Sequence, residues 1–210
     1  MPQRIEQQQG AEQIAALHSA GSARHTDVLV VGAGPFGLAL AAQLERLGLK
    51  YLLLGKPMQF WRQHMPTGMY LRSACDWHLD AADVYTIEAF LRTLDSSPEA
   101  VEPLSLDFYL SYAEWFQQQA GLVALPLHAE RLEHLEDGPY RYRATLEDGQ
   151  TIAAKTVVLA LGFKHFEHIP PEVETLLSED DYIHTCDLVD FSALRDKRCL
   201  VLGGRQSAFE

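Results

Sequence analysis

The chain has 210 residues, of which 47% are hydrophobic and 22% are charged, and such a composition is ordinary for a globular protein. The formal net charge of −12 argues against a nucleic-acid partner, because phosphate binding needs clustered basic residues and the 17 Lys and Arg are scattered. No run approaches about 18 uninterrupted apolar residues, so no membrane span is expected. Residues 1–25 lack the apolar centre of a signal peptide and are predicted to be an N-terminal extension.

The cysteines and histidines favour neither a disulfide framework nor a metal cluster. Cys75, Cys186 and Cys199 are odd in number and widely spaced, which is typical of a protein in the reducing cytoplasm. His165 and His168 lie three positions apart, but no third ligand is evident, so a solvated turn is favoured over a metal pair. No metal site is predicted.

The first elements in chain order form a predicted βαβ unit. A valine-rich apolar run at residues 26–32 is typical of a parallel strand covered on both faces. A helix is predicted to follow, with Pro35 early in its first turn and Gly48 as its stop signal. Residues 50–55 supply a second strand, and the crossover between the two should be right-handed.

The rest of the chain contains one clear helix and several strand-like runs. Ser105 can cap a helix that Gly121 ends, whereas residues 57–104 give no clear pattern. Turn signals at Asp137-Gly138 and Asp148-Gly149 separate three runs and predict a small antiparallel excursion that ends in a buried strand. The apolar run "CLVL" before Gly203 predicts a further strand that leads into a second glycine turn.

The first glycine turn is the strongest chemical signal in the chain. Gly32, Gly34 and Gly37 have G-x-G-x-x-G spacing between a strand and a helix, which is the context of a dinucleotide-binding turn. The first glycine permits the turn, the second admits a pyrophosphate, and the third allows close packing of helix on strand. The helix N–H groups and the helix dipole then stabilise the anion.

The residue expected to bind the ribose is missing. An acidic residue usually ends the second strand of such a unit, but Gly55 and Lys56 occupy this place. Either backbone groups and other side chains hold the ribose, or Lys56 faces a phosphate such as the 2′-phosphate of NADP. The spacing alone does not choose between these alternatives.

Four segments in order carry a family resemblance: "VGAGPFGLAL", "GKPMQFWRQHMPTGMYLRS", "VVLALGF" and "YIHTCDLVDFSALRDKRCLVLGGRQSA". From about residue 26 to the end, the chain resembles flavin-containing and N-hydroxylating monooxygenases and related FAD-dependent oxidoreductases, which have two dinucleotide-binding domains. The two glycine turns, 171 positions apart and in this order, are more specific than either alone. The chain departs from the family pattern at Gly55, often acidic in relatives, and at Ala160-Leu161-Gly162, often Ala-Thr-Gly.

The resemblance implies FAD at the first glycine turn and NADPH, or NADH, as electron donor at the second. It places residues 60–73 near the flavin, residues 160–162 at the crossover between domains, and the main chain of Leu132 against the adenine. The residues expected to contact a cofactor are Gly32, Ala33, Gly34, Pro35, Phe36, Gly37, Gly55, Lys56, Trp61, Arg62, Arg72, Leu132, Ala160, Gly162, Gly203, Gly204, Gln206 and Ser207. No catalytic side chain is predicted, because in such enzymes the cofactor carries the difficult chemistry.

Several of these residues also have a purely structural interpretation. Trp61 can be a packing residue, Arg62 and Arg72 can be surface groups, and Leu132 has the side chain of an ordinary core residue. His184 lies where relatives carry a histidine in the linker to the NADPH domain, and a structural role is favoured for it.

The expected fold is α/β, with a Rossmann-like FAD-binding domain of mainly parallel sheet and a small antiparallel excursion. We expect an incomplete FAD-binding domain over residues 26–195, followed at residues 196–210 by the first strand and glycine turn of an NAD(P)H-binding domain that is cut short. The predicted function is a flavoprotein monooxygenase that uses a small-molecule substrate and oxygen; a homo-oligomer is compatible with the sequence. The alternatives are a truncated, non-catalytic flavin-binding or interaction protein and a disulfide reductase, which would need two closely spaced redox cysteines.

Overall fold

A six-stranded sheet organises the computed structural model, which describes residues 24–204 and residue 208. Its strands are β1 (Arg24–Val31), β2 (Tyr51–Leu54), β3 (Ala124–Leu125), β4 (Ala129–His134), β5 (Tyr142–Leu146) and β6 (Thr151–Leu159). They lie in the order β3-β2-β1-β6-β5-β4. The pairs among β3, β2, β1 and β6 are parallel, whereas β5 and β4 extend the sheet in antiparallel fashion. The predicted α/β class with an antiparallel excursion is therefore confirmed.

The helices are α1 (Pro35–Arg46), α2 (Gln59–His64), α3 (Ile87–Thr93), α4 (Pro98–Val101), α5 (Leu106–Gln119) and α6 (Pro171–Leu176). Short 3₁₀ turns occur at Lys164–Phe166, Thr185–Asp187 and Phe191–Leu194. Pro35 is the first residue of α1, as predicted, and the Ser105 hydroxyl caps α5 by accepting a hydrogen bond from the Phe108 N–H at 3.2 Å. No helix in the described part of the chain is long and apolar enough to cross a bilayer.

The sheet is covered on both faces. Side chains alternate along a strand, so Val30 packs into a core with α1 and α5, whereas Leu29 and Val31 pack into a second core with β5 and β6. The first core contains the fully buried Tyr112 and Phe116, and the second contains Leu146 and Ile152. This arrangement explains the continuous apolar run of β1 and confirms the prediction of a strand that is buried on both sides.

A buried ion pair anchors the irregular segment between α2 and α3. The fully buried carboxylate of Asp80 accepts hydrogen bonds from both terminal guanidinium nitrogens of Arg46, the last residue of α1. It also accepts from the backbone N–H groups of Ala82, Val84 and Tyr85. Burial alone would raise the pKa of Asp80, but the hydrogen bonds from Arg46 and the backbone outweigh it and hold that pKa well below its usual range.

The predicted strand before the second glycine turn is absent. Residues 197–204 have no regular secondary structure, and Leu200, Val201 and Leu202 are exposed. A strand needs a neighbouring strand to satisfy its N–H and C=O groups, and none of the described strands pairs with this run. The expected N-terminal extension lies almost wholly outside the described residues, and β1 begins at Arg24 rather than at Thr26.

Candidate nucleotide-binding site

The carboxyl ends of four parallel strands form one edge of the sheet. Val31 pairs in register with Leu54 on one side and Leu159 on the other, and Leu54 pairs with Leu125. The residue after each strand continues the pattern: Gly32 N–H donates to the Leu54 carbonyl at 2.8 Å, and Gly55 N–H donates to the Leu125 carbonyl at 3.0 Å. Ala160 N–H donates to the Val31 carbonyl at 2.8 Å. In open α/β sheets this edge is where ligands bind.

Two glycines of the first turn are required by close packing of the backbone. Gly32 has a φ of +112°, and a Cβ added there would lie 2.1 Å from the Ala160 carbonyl oxygen. A Cβ on Gly37 would lie 1.8 Å from the Gly32 carbonyl oxygen. No side chain fits at either distance, so these positions bring α1, β1 and β6 close together.

Gly34 differs, because a Cβ added to it would meet no atom of the described residues within 4 Å. It is the N-cap residue of α1 and has an extended backbone, and none of the described side chains caps this helix end. Phe36 in the first turn is 80% exposed, whereas Ala33 is buried and its carbonyl accepts from Met58 N–H at 3.0 Å. The turn therefore leaves an open approach to the N-terminus of α1, where an anion is stabilised.

The position expected to hold the ribose is closed by the backbone. Gly55 has a φ of +119°, and a Cβ added there would lie 3.0 Å from Ala33 N and 3.5 Å from Ala33 Cβ. An acidic residue would therefore be strained and crowded in this conformation. Lys56 is exposed next to it.

The aromatic and basic residues after β2 lie around α2. Trp61 is half-buried and packs on Tyr109 of α5, with the ring centroids 5.0 Å apart, which supports a packing role. The exposed Arg62 places Nη2 3.8 Å from Oε2 of Glu114. Arg72 is exposed, and its place near a flavin stays a prediction.

A cavity of about 370 Å³ opens between α2 and α5. Its lining residues are Pro57, Met58, Arg62, Ala113, Glu114 and Gln117. Met58 also hydrogen bonds to Ala33, so the cavity adjoins the glycine turn.

The structure does not bring Leu132 together with the glycine turn. Leu132 pairs with Ala144, which pairs with Ile152, which in turn pairs with Arg24 at the start of β1. Arg24 precedes Val31 by seven residues, or roughly 23 Å of strand. The predicted contact of its main chain with the adenine stays a prediction.

The end of β3 was missed by the sequence analysis. Leu125 hydrogen bonds to Gly55 and lies in the same row as the ends of β1 and β2. β3 therefore ends at the same edge of the sheet as β1 and β2. The strand within the run "LVALP" has only two residues, and a strand of this length is too short to show a periodic apolar pattern in the sequence.

The remaining predicted residues lie on two further segments. Ala160 touches the glycine turn directly, and Gly162 follows it with a φ of +69° and an open Cβ direction. Gly203 and Gly204 are exposed, whereas Gln206 and Ser207 lie outside the described residues. The structure brings together the first glycine turn, Gly55 and Ala160.

The fold and this sheet edge define a dinucleotide-binding α/β domain. Residues 29–210 match the family model described as pyridine nucleotide-disulphide oxidoreductase. The chain therefore belongs to this family of oxidoreductases.

Individual relatives agree with this assignment. The chain is 27% identical to an FAD-dependent urate hydroxylase from Xanthomonas campestris over 92% of this chain and 43% of the relative. A flavin-containing monooxygenase structure from Stenotrophomonas maltophilia is 25% identical, with a TM-score of 0.51 over 65% of this chain and 38% of that one. A closed cyclohexanone monooxygenase structure shares the fold at 20% identity, with a TM-score of 0.56 over 79% of this chain and 31% of that one. The chain thus spans less than half the length of these relatives.

Proposed function

We propose that the first glycine turn binds the pyrophosphate of FAD and that the chain is the FAD-binding part of a flavoprotein monooxygenase. The observation that carries this proposal is the open approach at Gly34, at the N-terminus of α1 and beside the ends of four parallel strands. The similarity to an FAD-dependent hydroxylase and a flavin-containing monooxygenase supports FAD over NADP at this position.

The residues present fit a dinucleotide at this edge. A Cβ at Gly34 would extend into space that no other described atom fills, so the backbone can approach a phosphate there. The backbone N–H groups of Phe36 and Gly37 lie in the uncapped first turn of α1 and are placed to donate to it. Ribose contacts must come from backbone groups or from other side chains, because Gly55 offers no carboxylate.

When bound, FAD would supply the electron transfer and oxygen activation. The residues of this chain would bind and orient it: Ala33 and Met58 fix the loop, and Ala160 holds the opposite wall. The reaction requires a small-molecule substrate and oxygen. The cytoplasmic location stays a prediction.

NADPH or NADH is the proposed electron donor. Support comes from the second glycine turn at Gly203 and Gly204, with Gln206 and Ser207 following in the family pattern. A backbone turn of this kind can hold a pyrophosphate when a strand and a helix flank it.

A disulfide reductase is the second candidate, because the matching family model carries that description. Such an enzyme needs a pair of redox cysteines. Cys75, Cys186 and Cys199 are all free, and burial raises the pKa of Cys75 to about 12, which keeps its thiol protonated and unreactive. The cysteines therefore favour the monooxygenase.

The test uses this chain in a protein of the full length of its relatives. NADPH should bleach the flavin without oxygen, and readmitted ¹⁸O₂ should label an oxygenated product. Flavin reoxidation by a disulfide alone, with no labelled product, would contradict the monooxygenase proposal. Retention of NADP and no flavin would contradict FAD binding itself.

A further inference from the structure

A cluster of polar side chains lies where the segment after β6 meets the 3₁₀ turn Thr185–Asp187. Glu167, His184 and Cys186 each offer one ligand atom, and these atoms lie within 4.8 Å of one another. His184 Nδ1 is 2.9 Å from Cys186 Sγ, which is 3.0 Å from Glu167 Oε2. A thiol, an imidazole and a carboxylate are the ligand types that Zn²⁺ prefers.

The cluster already surrounds a cation. Lys164 Nζ lies 2.6 Å from Asp187 Oδ1, 3.0 Å from Glu167 Oε2 and 3.7 Å from Cys186 Sγ. Lys164 Nζ donates hydrogen bonds to the carboxylates of Asp187 and Glu167. The ammonium group marks the position of favourable potential for a positive ion.

We propose that Glu167, His184 and Cys186 form a Zn²⁺ site, with the fourth position open to water. Ligand atoms around tetrahedral zinc are about 3.5 Å apart, so the two short distances at Cys186 need to widen by roughly 0.5 Å. The ion takes the place of Lys164 Nζ, which swings out to solvent, and the Cys186 thiol releases its proton to solvent. The site ties residues 164–167 to residues 184–187.

His64 gives the site a link to the rest of the fold. Its Nδ1 lies 2.9 Å from the Cys186 carbonyl oxygen, and Thr67 N–H donates to the Val189 carbonyl at 3.0 Å. The cysteine and histidine ligands therefore lie on a segment that α2 and the residues after it already hold. This pre-organisation reduces the conformational entropy that the segment loses when the metal ion binds.

The experiment titrates the untagged, reduced chain with Co²⁺ alone as a spectroscopic substitute for Zn²⁺. We expect one equivalent to give thiolate-to-cobalt charge-transfer absorption and tetrahedral visible bands, both bleached by one equivalent of Zn²⁺. Cys186→Ser should lose the charge-transfer band, whereas Cys199→Ser, which removes an exposed thiol that is not part of the cluster, should keep it. His184→Ala should weaken binding at least about tenfold, whereas His165→Ala should leave it unchanged.

Lys164→Met separates metal binding from a loss of folding. This variant removes the competing ammonium group without removing a ligand, so it should bind Co²⁺ more tightly than the parent chain. The proposal is overturned if the parent shows no thiolate band at equimolar Co²⁺, if Cys199→Ser loses the band, or if Cys186→Ser keeps it. Weaker binding by Lys164→Met would also overturn it, because Lys164 would then support the site instead of competing for it.

Discussion

Gly55 occupies the position at which the resembled family often carries an acidic residue, and its backbone explains the departure. With φ at +119° and Ala33 N only 3.0 Å from an added Cβ, the position accepts glycine and little else. The neighbouring Lys56 is exposed and has no such restriction. The end of β2 therefore lies against the glycine turn at this position.

We predict that Gly55→Glu destabilises the fold by about 1–3 kcal/mol, because it combines backbone strain with a contact against Ala33. Lys56→Glu places the same carboxylate one residue later and should change stability by no more than about 0.5 kcal/mol. Urea unfolding of the two variants measures the difference. Equal stability of both would show that residue 55 is not restricted.

Asp80 should dominate the acid sensitivity of the segment between α2 and α3. Asp80→Asn leaves Arg46 without its buried carboxylate partner and should lower the free energy of unfolding by about 3–5 kcal/mol at pH 7. The folded-state pKa is depressed, so the stabilisation is present above the unfolded value of 3.8 and is lost as pH falls below it. At pH 3 the difference in the free energy of unfolding between the parent and Asp80→Asn should therefore be smaller than at pH 7 by about 1 kcal/mol.

Urea unfolding of the parent and of Asp80→Asn at pH 7 and at pH 3 measures this difference in the free energy of unfolding. Asp76→Asn makes the same change at an exposed position and should stay within about 0.5 kcal/mol of the parent at each pH. A gap for Asp80→Asn that does not narrow at pH 3 would contradict the assigned pKa shift.

At the scale of elements, local signals predicted β1, α1, β2, α5 and the antiparallel strands. β1 and β2 are apolar runs, α1 and α5 have a proline or a serine at their start, and turn signals separate the antiparallel strands. Residues 57–104 were not predicted, because their helices are short and their positions depend on distant contacts. The Tyr112 hydroxyl, for example, accepts from Leu79 N–H at 2.9 Å and donates to the Tyr85 carbonyl at 2.8 Å.

The cap of α5 provides a test at this scale. Ser105→Ala removes the oxygen that accepts a hydrogen bond from Phe108 N–H and should lower the free energy of unfolding by about 1 kcal/mol. Ser111→Ala, within the same helix, removes only an exposed bond to the Asp107 carbonyl and should be neutral or slightly stabilising. Thermal unfolding of both variants checks this, and an equal loss would show that the cap does not fix the helix start.

At the scale of the whole molecule, the order of strand, glycine turn and helix predicted a cofactor site at the first glycine turn. The roles of the individual glycines came only from the structure: Gly32 and Gly37 meet backbone atoms, whereas Gly34 faces open space. The sequence also could not show that Leu132 of β4 is in register, through β5 and β6, with Arg24 at the start of β1, since this depends on three strand pairs. The sequence did not predict the cluster of Glu167, His184 and Cys186, because Glu167 precedes His184 by 17 residues in the chain.

The most direct test of FAD binding at the first glycine turn compares two glycines whose Cβ directions are both open. Among the residues that the structure describes, Gly34 and Gly204 each have no atom within 4 Å of an added Cβ, and neither has a left-handed φ, so valine at either should leave the fold intact. Fluorescence titration with FAD should show saturable one-to-one binding by the parent chain and by Gly204→Val, and none by Gly34→Val with an unchanged far-ultraviolet spectrum. FAD binding by Gly34→Val equal to that of the parent, or its loss in Gly204→Val alone, would contradict the account.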